Sequence, residues 1–196
     1  NDVVDFFKKN EVKTILDLGC GSGEHLFELS KLGFKVSGFD ISKEAIKLAR
    51  EKFKENNLQG EFIVGSMHDK LRFKDGQFDA LICLRTLNHG REKQVQETIN
   101  EIHRVVKNNG FIFVNSIKIY GKKNLVGKGK LNQISVEFIA PYTYKPLVGR
   151  EIGITHYLFN KNSLLKMLNK FVPIRFWLDI GKRHWEKYYC LLAQKN

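Results

Sequence analysis

The chain of 196 residues is long enough for one domain with a substantial core and too short for two domains of ordinary size. Its apolar fraction of 42% and charged fraction of 28% are typical of a soluble globular protein, and no apolar run is long enough to span a membrane. The net charge of +12 favours an anionic partner such as RNA or a phosphorylated metabolite, unless it reflects only a lysine-rich surface.

Helical and strand-like patterns alternate over the first part of the chain. The spacing of apolar residues predicts, in order, a helix at 2–9, a strand at 13–18, a helix at 22–32, a strand at 35–39, a helix at 43–55, strands at 61–64 and 78–84, a helix at 91–107 and a strand at 111–117. This alternation requires a parallel sheet with helices on both faces, and right-handed crossovers make it doubly wound. The predicted fold class is therefore α/β with a Rossmann-like sheet, whose ligand crevice lies beyond the carboxyl ends of the strands.

Residues 118–150 interrupt the alternation. Lysines and glycines over 118–130 predict a basic, flexible loop, and one further strand is predicted at 135–139. Because this insertion follows the fifth strand, we expect a lid over the crevice, unless it is only a surface excursion. The rest of the chain predicts an extended segment at 154–159, a helix at 161–170 and two strands, at 174–180 and 185–193, joined by a hairpin at 181–184.

A glycine-rich turn, Asp17-Leu-Gly-Cys-Gly-Ser-Gly23, joins the first predicted strand to the next helix. The dinucleotide fingerprint G-x-G-x-x-G has its third glycine where this chain has Glu24, and an acid at a helix start is a poor neighbour for a pyrophosphate. Asp40 ends the second strand, roughly 20 residues beyond the first glycine, where a carboxylate can accept hydrogen bonds from ribose hydroxyls. The pattern therefore favours a positively charged nucleoside over a dinucleotide.

The two segments that carry this pattern are also a family signature. Ile15-Leu-Asp-Leu-Gly-Cys-Gly-Ser-Gly23, followed by Val36-Ser-Gly-Phe-Asp-Ile-Ser42, resembles the first two motifs of class I S-adenosylmethionine (SAM)-dependent methyltransferases. The resemblance continues at 65–79, at 102–113 and in the tail from 156, so it covers nearly the whole chain. It implies one methyltransferase domain over 1–196 whose sheet is mostly parallel with an antiparallel last strand, and it leaves a dinucleotide enzyme or a non-catalytic Rossmann-like domain as the alternative.

The resemblance implies SAM as cofactor, S-adenosylhomocysteine (SAH) as product, and no metal. Many members carry an acid in the loop after the third strand, where it meets the adenine amino group, but this chain has Ser66 there. Ser66, Asp69 or the backbone around Met67 is expected to take over that contact. The residues expected at the cofactor are Asp17, Gly19, Cys20, Gly21, Gly23, Asp40, Ile41, Ser66, Met67 and Leu84.

The stretch 84–90, Leu-Arg-Thr-Leu-Asn-His-Gly, leaves the end of the fourth strand and is expected to face the transferred methyl group. Methyl transfer from a sulfonium is an in-line displacement, and an ionisable acceptor must also lose its proton. His89 is predicted as the general base or acceptor-orienting group, with a helix-capping role as the alternative. Arg85 is predicted beside it in the catalytic centre, where it would bind an anionic acceptor. The residues expected to contact the substrate are Asn88, His156 and Tyr157.

Three functions remain open on the sequence alone. The first is methyl transfer to oxygen, nitrogen or sulfur of a small molecule, and the second is modification of a wobble-uridine side chain in tRNA, which the net charge and the lysine-rich loop would serve. The third is a SAM-binding module without catalysis. The [D/N]-P-P-[Y/F] motif of nucleic-acid amino-methyltransferases is absent, because Cys83-Leu-Arg-Thr86 stands in its place.

The three cysteines, Cys20, Cys83 and Cys190, are widely separated and show neither a C-x-x-C pair nor zinc-ligand spacing. We expect Cys20 to fill a small position in the turn and Cys83 to lie in the core rather than act as a nucleophile. Free thiols and the lack of a visible secretory leader favour a cytoplasmic location.

Overall fold

The computed structural model describes residues 2–117, 127–131, 134–149, 151–181 and 187–196. Within these ranges the helices are α1 (Asp2–Lys9), α2 (Glu24–Lys31), α3 (Lys43–Glu55), α4 (Glu92–Val105) and α5 (Lys161–Met167). The strands are β1 (Thr14–Leu18), β2 (Lys35–Asp40), β3 (Gly60–Val64), β4 (Phe78–Leu84), β5 (Val106–Ile117), β6 (Gly127–Leu131), β7 (Ile134–Ala140), β8 (Thr143–Pro146), β9 (His156–Tyr157), β10 (Phe171–Ile180) and β11 (Lys187–Lys195). None of the helices in these ranges is long and apolar enough to cross a bilayer.

The main sheet has seven strands in the order β10-β11-β5-β4-β1-β2-β3. Strands β1 to β5 are parallel, β11 runs antiparallel to β5, and β10 runs antiparallel to β11. The predicted α/β fold with a mostly parallel sheet and an antiparallel edge is therefore confirmed. The strand order reverses between β1 and β4, and a ligand crevice is expected at the carboxyl ends of these two strands.

Helices cover both faces of the main sheet, as the alternation of elements predicts. Apolar residues of α1, α2 and α3 pack on one face, around Phe7, Leu26 and Phe53. Apolar residues of α4 and α5 pack on the other face, around Ile99 and Leu164. Helices therefore bury both faces of the sheet. A ligand is expected to bind at the carboxyl ends of the strands.

A second sheet, in the order β6-β7-β8-β9, is formed by antiparallel strands of the insertion and the segment after it. The predicted strand at 135–139 is confirmed, but the prediction of a loop is wrong for 127–131, which forms β6. Small glycines alternate with lysines along β6, and Leu131 joins Val136, Phe138 and Tyr144 in a separate apolar cluster. Residues 118–126, which carry part of the predicted lysine-rich loop, lie outside the described residues.

The carboxyl-terminal elements keep their predicted order but not all of their bounds. Helix α5 ends at Met167, and β10 already begins at Phe171. Only His156–Tyr157 of the predicted extended segment forms a strand. The antiparallel pair β10–β11 is confirmed, whereas 182–186, which hold most of the predicted hairpin, lie outside the described residues.

Asp79 in β4 ties the starts of β1, β4 and β5 together. Its Oδ2 accepts hydrogen bonds from the backbone N–H groups of Lys13 (2.9 Å) and Thr14 (2.8 Å), and its Oδ1 accepts one from Lys107 Nζ (2.6 Å). Burial raises the pKa of Asp79, but the hydrogen bonds from Lys107, Lys13 and Thr14 outweigh burial and lower it to about 2. The folded chain therefore stabilises the ionised form of Asp79 relative to its protonated form.

Replacing Asp79 with asparagine is expected to lower the free energy of unfolding at pH 7 by roughly 2 kcal/mol. Because the folded pKa lies below the unfolded one, this contribution is present above the unfolded pKa and is lost as pH falls through the folded value. Urea denaturation should show the gap between wild type and Asp79→Asn closing from about pH 5 to about pH 2. The exposed Asp75, paired with Arg104, gives a control: Asp75→Asn should cost less than about 1 kcal/mol. Equal stability of Asp79→Asn and wild type at pH 7 would contradict the assignment.

Candidate active site

The turn after β1 is built on glycines in left-handed backbone conformations. Gly19 has φ 84° and Gly21 has φ 53°, a region that residues with a Cβ rarely adopt. A Cβ on Gly19 would lie 2.3 Å from Thr86 Cγ2, whereas one on Gly21 would meet none of the described atoms within 4 Å. The N–H groups of Gly19 and Cys20 both donate to Phe39 O, at 2.7 and 3.2 Å. The turn is thus fixed against β2 while its outer side stays open.

Asp40 closes β2 directly beside this turn. Its Oδ2 accepts a hydrogen bond from Gly21 N (2.8 Å), and its Oδ1 accepts one from Ser42 N (2.8 Å). A carboxylate offers about four lone-pair positions, so each oxygen keeps room for a further donor. The geometry is compatible with the predicted contact to ribose hydroxyls.

A crevice of about 290 Å³ opens between the turn, the end of β2 and the loops after β3 and β4. This volume is close to the lower end of small-molecule pockets, which is about 300 Å³. Ser66 Oγ accepts a hydrogen bond from His68 N (3.2 Å), and Met67 O accepts one from Thr98 Oγ1 (3.1 Å), which fixes the loop after β3. Six of the predicted residues line the crevice: Gly19, Asp40, Ile41, Ser66, Met67 and His89.

Asp17, at the end of β1, is only 1% exposed. Its Oδ2 has no hydrogen-bond partner among the residues that the structure describes, and the closest cation is His25, whose Nδ1 lies 3.8 Å away. Burial raises the pKa of Asp17, against the contact with His25, and the same contact raises the pKa of His25. A buried carboxylate oxygen without a hydrogen bond is costly, so a cationic group arriving at the turn would relieve it. The orphaned oxygen and the open side of Gly21 fit a ligand with an ammonium and a sulfonium.

Three other residues that are expected to contact the cofactor do not line this crevice. The Cys20 side chain packs against Gly38, and burial raises the pKa of its thiol, in keeping with a small position in the turn. Gly23 lies against Ala49, where a Cβ would come within 3.1 Å of Ala49 Cβ. Leu84 lines a separate cleft of about 690 Å³, beside Phe113.

The loop after β4 brings two histidines together. His89 lines the crevice, and His156 of β9 lies beside it with ring centroids 4.7 Å apart. Glu151 contacts both rings: its Oε1 lies 3.7 Å from His89 Nε2, and its Oε2 lies 3.5 Å from His156 Nε2. Burial lowers the pKa of His89, and burial together with the neighbouring His89 lowers the pKa of His156 to about 4. Both imidazoles are therefore neutral at pH 7.

The remaining predicted residues hold this loop in place or point elsewhere. Asn88 is buried, with its Nδ2 3.0 Å from His156 Nδ1, so its amide is engaged with His156. Tyr157 lies in the core and donates to Glu92 Oε1 (3.3 Å), and burial raises its pKa to about 12. Arg85 has an exposed side chain on a left-handed backbone (φ 59°), and its N–H donates to Asn115 Oδ1 (2.7 Å).

The sequence analysis missed Thr86 and Glu151. Thr86 shapes the turn through its contact with the Gly19 position, and Glu151 joins the two histidines. Thr86 lies within the stretch 84–90 that is expected to face the methyl group, whereas Glu151 belongs to no motif and stands 62 positions after His89 (151 − 89). Only the folded chain brings Glu151 to His89 at the border of the crevice.

Comparison with known proteins identifies this architecture. Residues 15–110, which hold the glycine turn, the crevice-lining loops after β2, β3 and β4, and α4, match the model of the family described as "Methyltransferase domain". Residues 15–110, about half of the chain, are therefore a methyltransferase domain. The family model ends before the second sheet, so Glu151 and His156 lie outside the matched region.

Individual relatives agree with this family. This chain is 39% identical over 100 residues to the putative methyltransferase YqeM of Bacillus subtilis (strain 168). The match covers 50% of this chain and 40% of the relative. The chain is 29% identical over 114 residues to a ubiquinone biosynthesis O-methyltransferase of Thiobacillus denitrificans, covering 58% and 48% of the two chains. The matches therefore span about half the length of these relatives or less.

A solved structure extends the likeness in fold to the entire chain. The 1,6-didemethyltoxoflavin-N1-methyltransferase of Burkholderia thailandensis, solved with its acceptor and SAH, superposes with a TM-score of 0.75. The alignment covers 100% of this chain and 77% of that one, at 14% identity. At this identity the likeness concerns the fold.

Proposed function

We propose that this chain is a SAM-dependent methyltransferase that modifies oxygen, nitrogen or sulfur of a small molecule. The observation that carries the proposal is the pair of carboxylates that flanks the glycine turn. Asp17 brings a buried oxygen without a hydrogen-bond partner among the described residues to one side of the turn, and Asp40 lines the crevice on the other side. Two acids suit a cationic nucleoside and oppose a pyrophosphate, because like charges repel.

The crevice residues divide the work of holding SAM, which supplies an activated methyl group when it is bound. Asp40 would accept hydrogen bonds from the ribose, and the loop at Ser66 and Met67 would hold the adenine. Asp17 would attract the amino-acid end, and Gly21 would let the backbone come close. Residues of this chain would make all of these contacts, and none of the contacts requires a cationic side chain.

The acceptor would lie against the loop after β4. His89 offers a neutral imidazole that can receive a proton from a hydroxyl, amine or thiol, or orient the group that carries it. The exposed guanidinium of Arg85 would attract an anionic acceptor, in line with the net charge of +12. The second sheet, joined to this loop by the pairing of His156 with His89, would act as the lid that excludes water.

Names of relatives support a small acceptor. The relative from Thiobacillus denitrificans is named for ubiquinone biosynthesis, and the Burkholderia enzyme methylates 1,6-didemethyltoxoflavin at N1. The net charge of +12 supports the tRNA alternative. Part of the lysine-rich loop, which would also support it, lies outside the described residues. The three buried free thiols suit a reducing compartment such as the cytoplasm.

Calorimetric titration with SAH and with a dinucleotide tests the cofactor, and a methyl-release assay over a panel of phenols, amines and thiols tests the acceptor. We expect SAH to bind and the dinucleotide not to bind. RNA retention that falls steeply with salt, together with methyl incorporation into RNA, would favour the tRNA alternative. Binding of the dinucleotide in place of SAH would contradict the proposal.

Replacing His89 with alanine is expected to lower turnover by about 100-fold or more, the usual contribution of a positioned acid–base group. SAH affinity should stay near that of wild type, because the change affects the acceptor side. The matched control is His103→Ala, which removes a histidine of α4 that packs on Phe171 of β10. Full turnover in His89→Ala would remove His89 from the chemistry.

A further inference from the structure

We propose that His89, Glu151 and His156 form a binding site for one divalent transition-metal ion, with Zn²⁺ as the best-suited example. The spacing of the cysteines in the sequence predicts no zinc site. The structure instead brings together three donors from the loop after β4, the turn before β9 and β9 itself. Two imidazoles and one carboxylate are the ligand set of catalytic zinc sites with an open position.

The donor atoms already lie close to the spacing that such an ion requires. Ligand atoms about 2.1 Å from a tetrahedral zinc ion are separated from each other by about 3.4 Å. Here Glu151 oxygens lie 3.5 Å from His156 Nε2 and 3.7 Å from His89 Nε2, and one ligand atom from each residue falls within 4.8 Å of the others. A contraction of a few tenths of an ångström at the carboxylate, and of up to about 1.4 Å (4.8 − 3.4) for the most distant pair of ligand atoms, would complete the geometry. The Glu151 side chain is 54% exposed and can make that adjustment.

The second observation is an unsatisfied nitrogen that faces the cluster. The His156 side chain is 2% exposed, and its Nε2 has no hydrogen-bond partner within the described ranges. Burial removes water from this nitrogen, and no hydrogen bond offsets the free-energy cost. Some ligand is therefore expected at this position. Its neighbour at 3.5 Å, Glu151, is beyond hydrogen-bond distance but well placed to share a cation.

The surroundings of His156 match those of a metal ligand. Its Nδ1 lies 3.0 Å from the Asn88 amide, and its ring stacks on Tyr144 with centroids 5.0 Å apart. Metal-bound histidines usually engage their other ring nitrogen in this way, which fixes the ring and selects the tautomer. Since the nitrogen and oxygen of an amide are assigned from the hydrogen-bond network, Asn88 can present its oxygen to a protonated Nδ1.

The backbone also holds the two histidines in register. Tyr157 N donates to Asn88 O (2.7 Å), and Gly90 N donates to Thr155 O (2.6 Å), so the segments pair like short strands. The cysteines, which would compete for a borderline ion, are buried and belong to other parts of the chain. The site is thus made of His₂Glu alone among the described residues.

The consequence for catalysis rests on the proposed function. Three protein ligands leave one position open, and His89 places the site at the border of the crevice. With one carboxylate, the ion would keep a net positive charge and would bind and acidify a hydroxyl or thiol of the acceptor. In the loaded protein His89 would then act as a ligand, and the ion would replace it in promoting loss of the proton.

Metal titration without SAM tests the site directly. The purified chain is stripped with a chelator and titrated with Zn²⁺ by calorimetry and with Co²⁺ by absorption spectroscopy. We expect one ion per chain and Co²⁺ bands of a four- or five-coordinate site. Glu151→Gln and His156→Ala should weaken Zn²⁺ binding by more than about 100-fold, and Asn88→Ala by about 10- to 100-fold. His103→Ala, outside the cluster, should leave the affinity unchanged.

Zn²⁺ binding that is absent, or that is unchanged in both Glu151→Gln and His89→Ala, would overturn the inference. Glu151 is exposed, so Glu151→Gln keeps the test valid should His156→Ala fail to fold. SAH calorimetry on the same samples separates the two proposals. SAH binding without Zn²⁺ binding would reject the metal site and keep the methyltransferase, whereas the reverse result would reject SAM as the cofactor.

Discussion

Replacing Gly19 with alanine is expected to destabilise the chain by about 2–5 kcal/mol and to abolish measurable SAH binding. Two effects add. The left-handed backbone at φ 84° costs a residue with a Cβ about 1–2 kcal/mol. The new methyl group would also lie 2.3 Å from Thr86 Cγ2, and overpacking of this kind costs about 1–3 kcal/mol.

Thr86 has little freedom to move away, because its Oγ1 donates to Leu84 O at 3.1 Å. The turn and the loop after β4 would separate instead, and both line the crevice. The measurements are urea denaturation for stability and calorimetry for SAH.

Gly33 provides the matched control for the backbone term. Its φ is 91°, and a Cβ there would meet nothing within 4 Å among the described residues, so Gly33→Ala isolates the left-handed cost. We expect a loss of about 1 kcal/mol and unchanged SAH affinity in that variant. A Gly19→Ala protein no less stable than Gly33→Ala would show that the contact with Thr86 is unimportant.

The residues that we propose to hold the cofactor could be brought together from sequence because their signals are local. The apolar run of β1, the turn glycines and Asp40 all fall within one βαβ unit, and parallel strands bring their ends to one edge. Asp40 ends β2, and Ser66 and Met67 follow β3 closely, so the strand order alone places them together.

The second sheet could be predicted only at β7, because β6 has the composition of a loop and β8 and β9 have only four and two residues. Lysine and glycine in β6 are typical of a loop, and only the packing of Leu131 with Phe138 and Tyr144 favours a strand there. Strand β9 has two residues, too few for any periodicity to indicate it.

The acceptor half shows the same limit at the level of side chains. Asn88 was expected to contact the substrate from its position after β4, but its amide meets His156, 68 residues away. Tyr157 is predicted there because its strand can border the pocket, yet neighbouring residues of a strand point to opposite sides, and its hydroxyl reaches Glu92. Position along the chain places a residue near the crevice, and only the fold decides which way its side chain points.

Replacing Asp17 with asparagine is expected to weaken SAH binding by about 1–3 kcal/mol while stabilising the free protein by about 1 kcal/mol. The free chain holds a buried carboxylate oxygen without a hydrogen-bond partner among the described residues. A neutral amide of the same size removes the buried charge, which relieves the folded state. The same change removes the negative charge that would attract the cationic end of the ligand, so stability and binding should move in opposite directions.

The raised pKa of Asp17 determines how the stability of the wild-type chain changes with pH. Burial raises the pKa of Asp17 above its ordinary value, so between the two values the folded chain holds a proton that the unfolded chain has lost. Wild-type stability from this group therefore falls as pH rises through the raised pKa. The paired His25, whose pKa is also raised, contributes stability at low pH that is lost as pH rises, which acts in the same direction.

The difference in unfolding free energy between Asp17→Asn and wild type should accordingly widen as pH rises from the ordinary carboxyl pKa of about 4 through the raised pKa of folded Asp17. Asp5→Asn, which removes an exposed acid of α1, controls for net charge and should show no such widening. A variant that loses SAH affinity without gaining stability would mean that Asp17 is satisfied in the free protein. A variant that gains stability and keeps full SAH affinity would mean that its charge does not face the ligand. Only the combined result, tighter folding with weaker binding, identifies Asp17 as a strained group that the cofactor relieves.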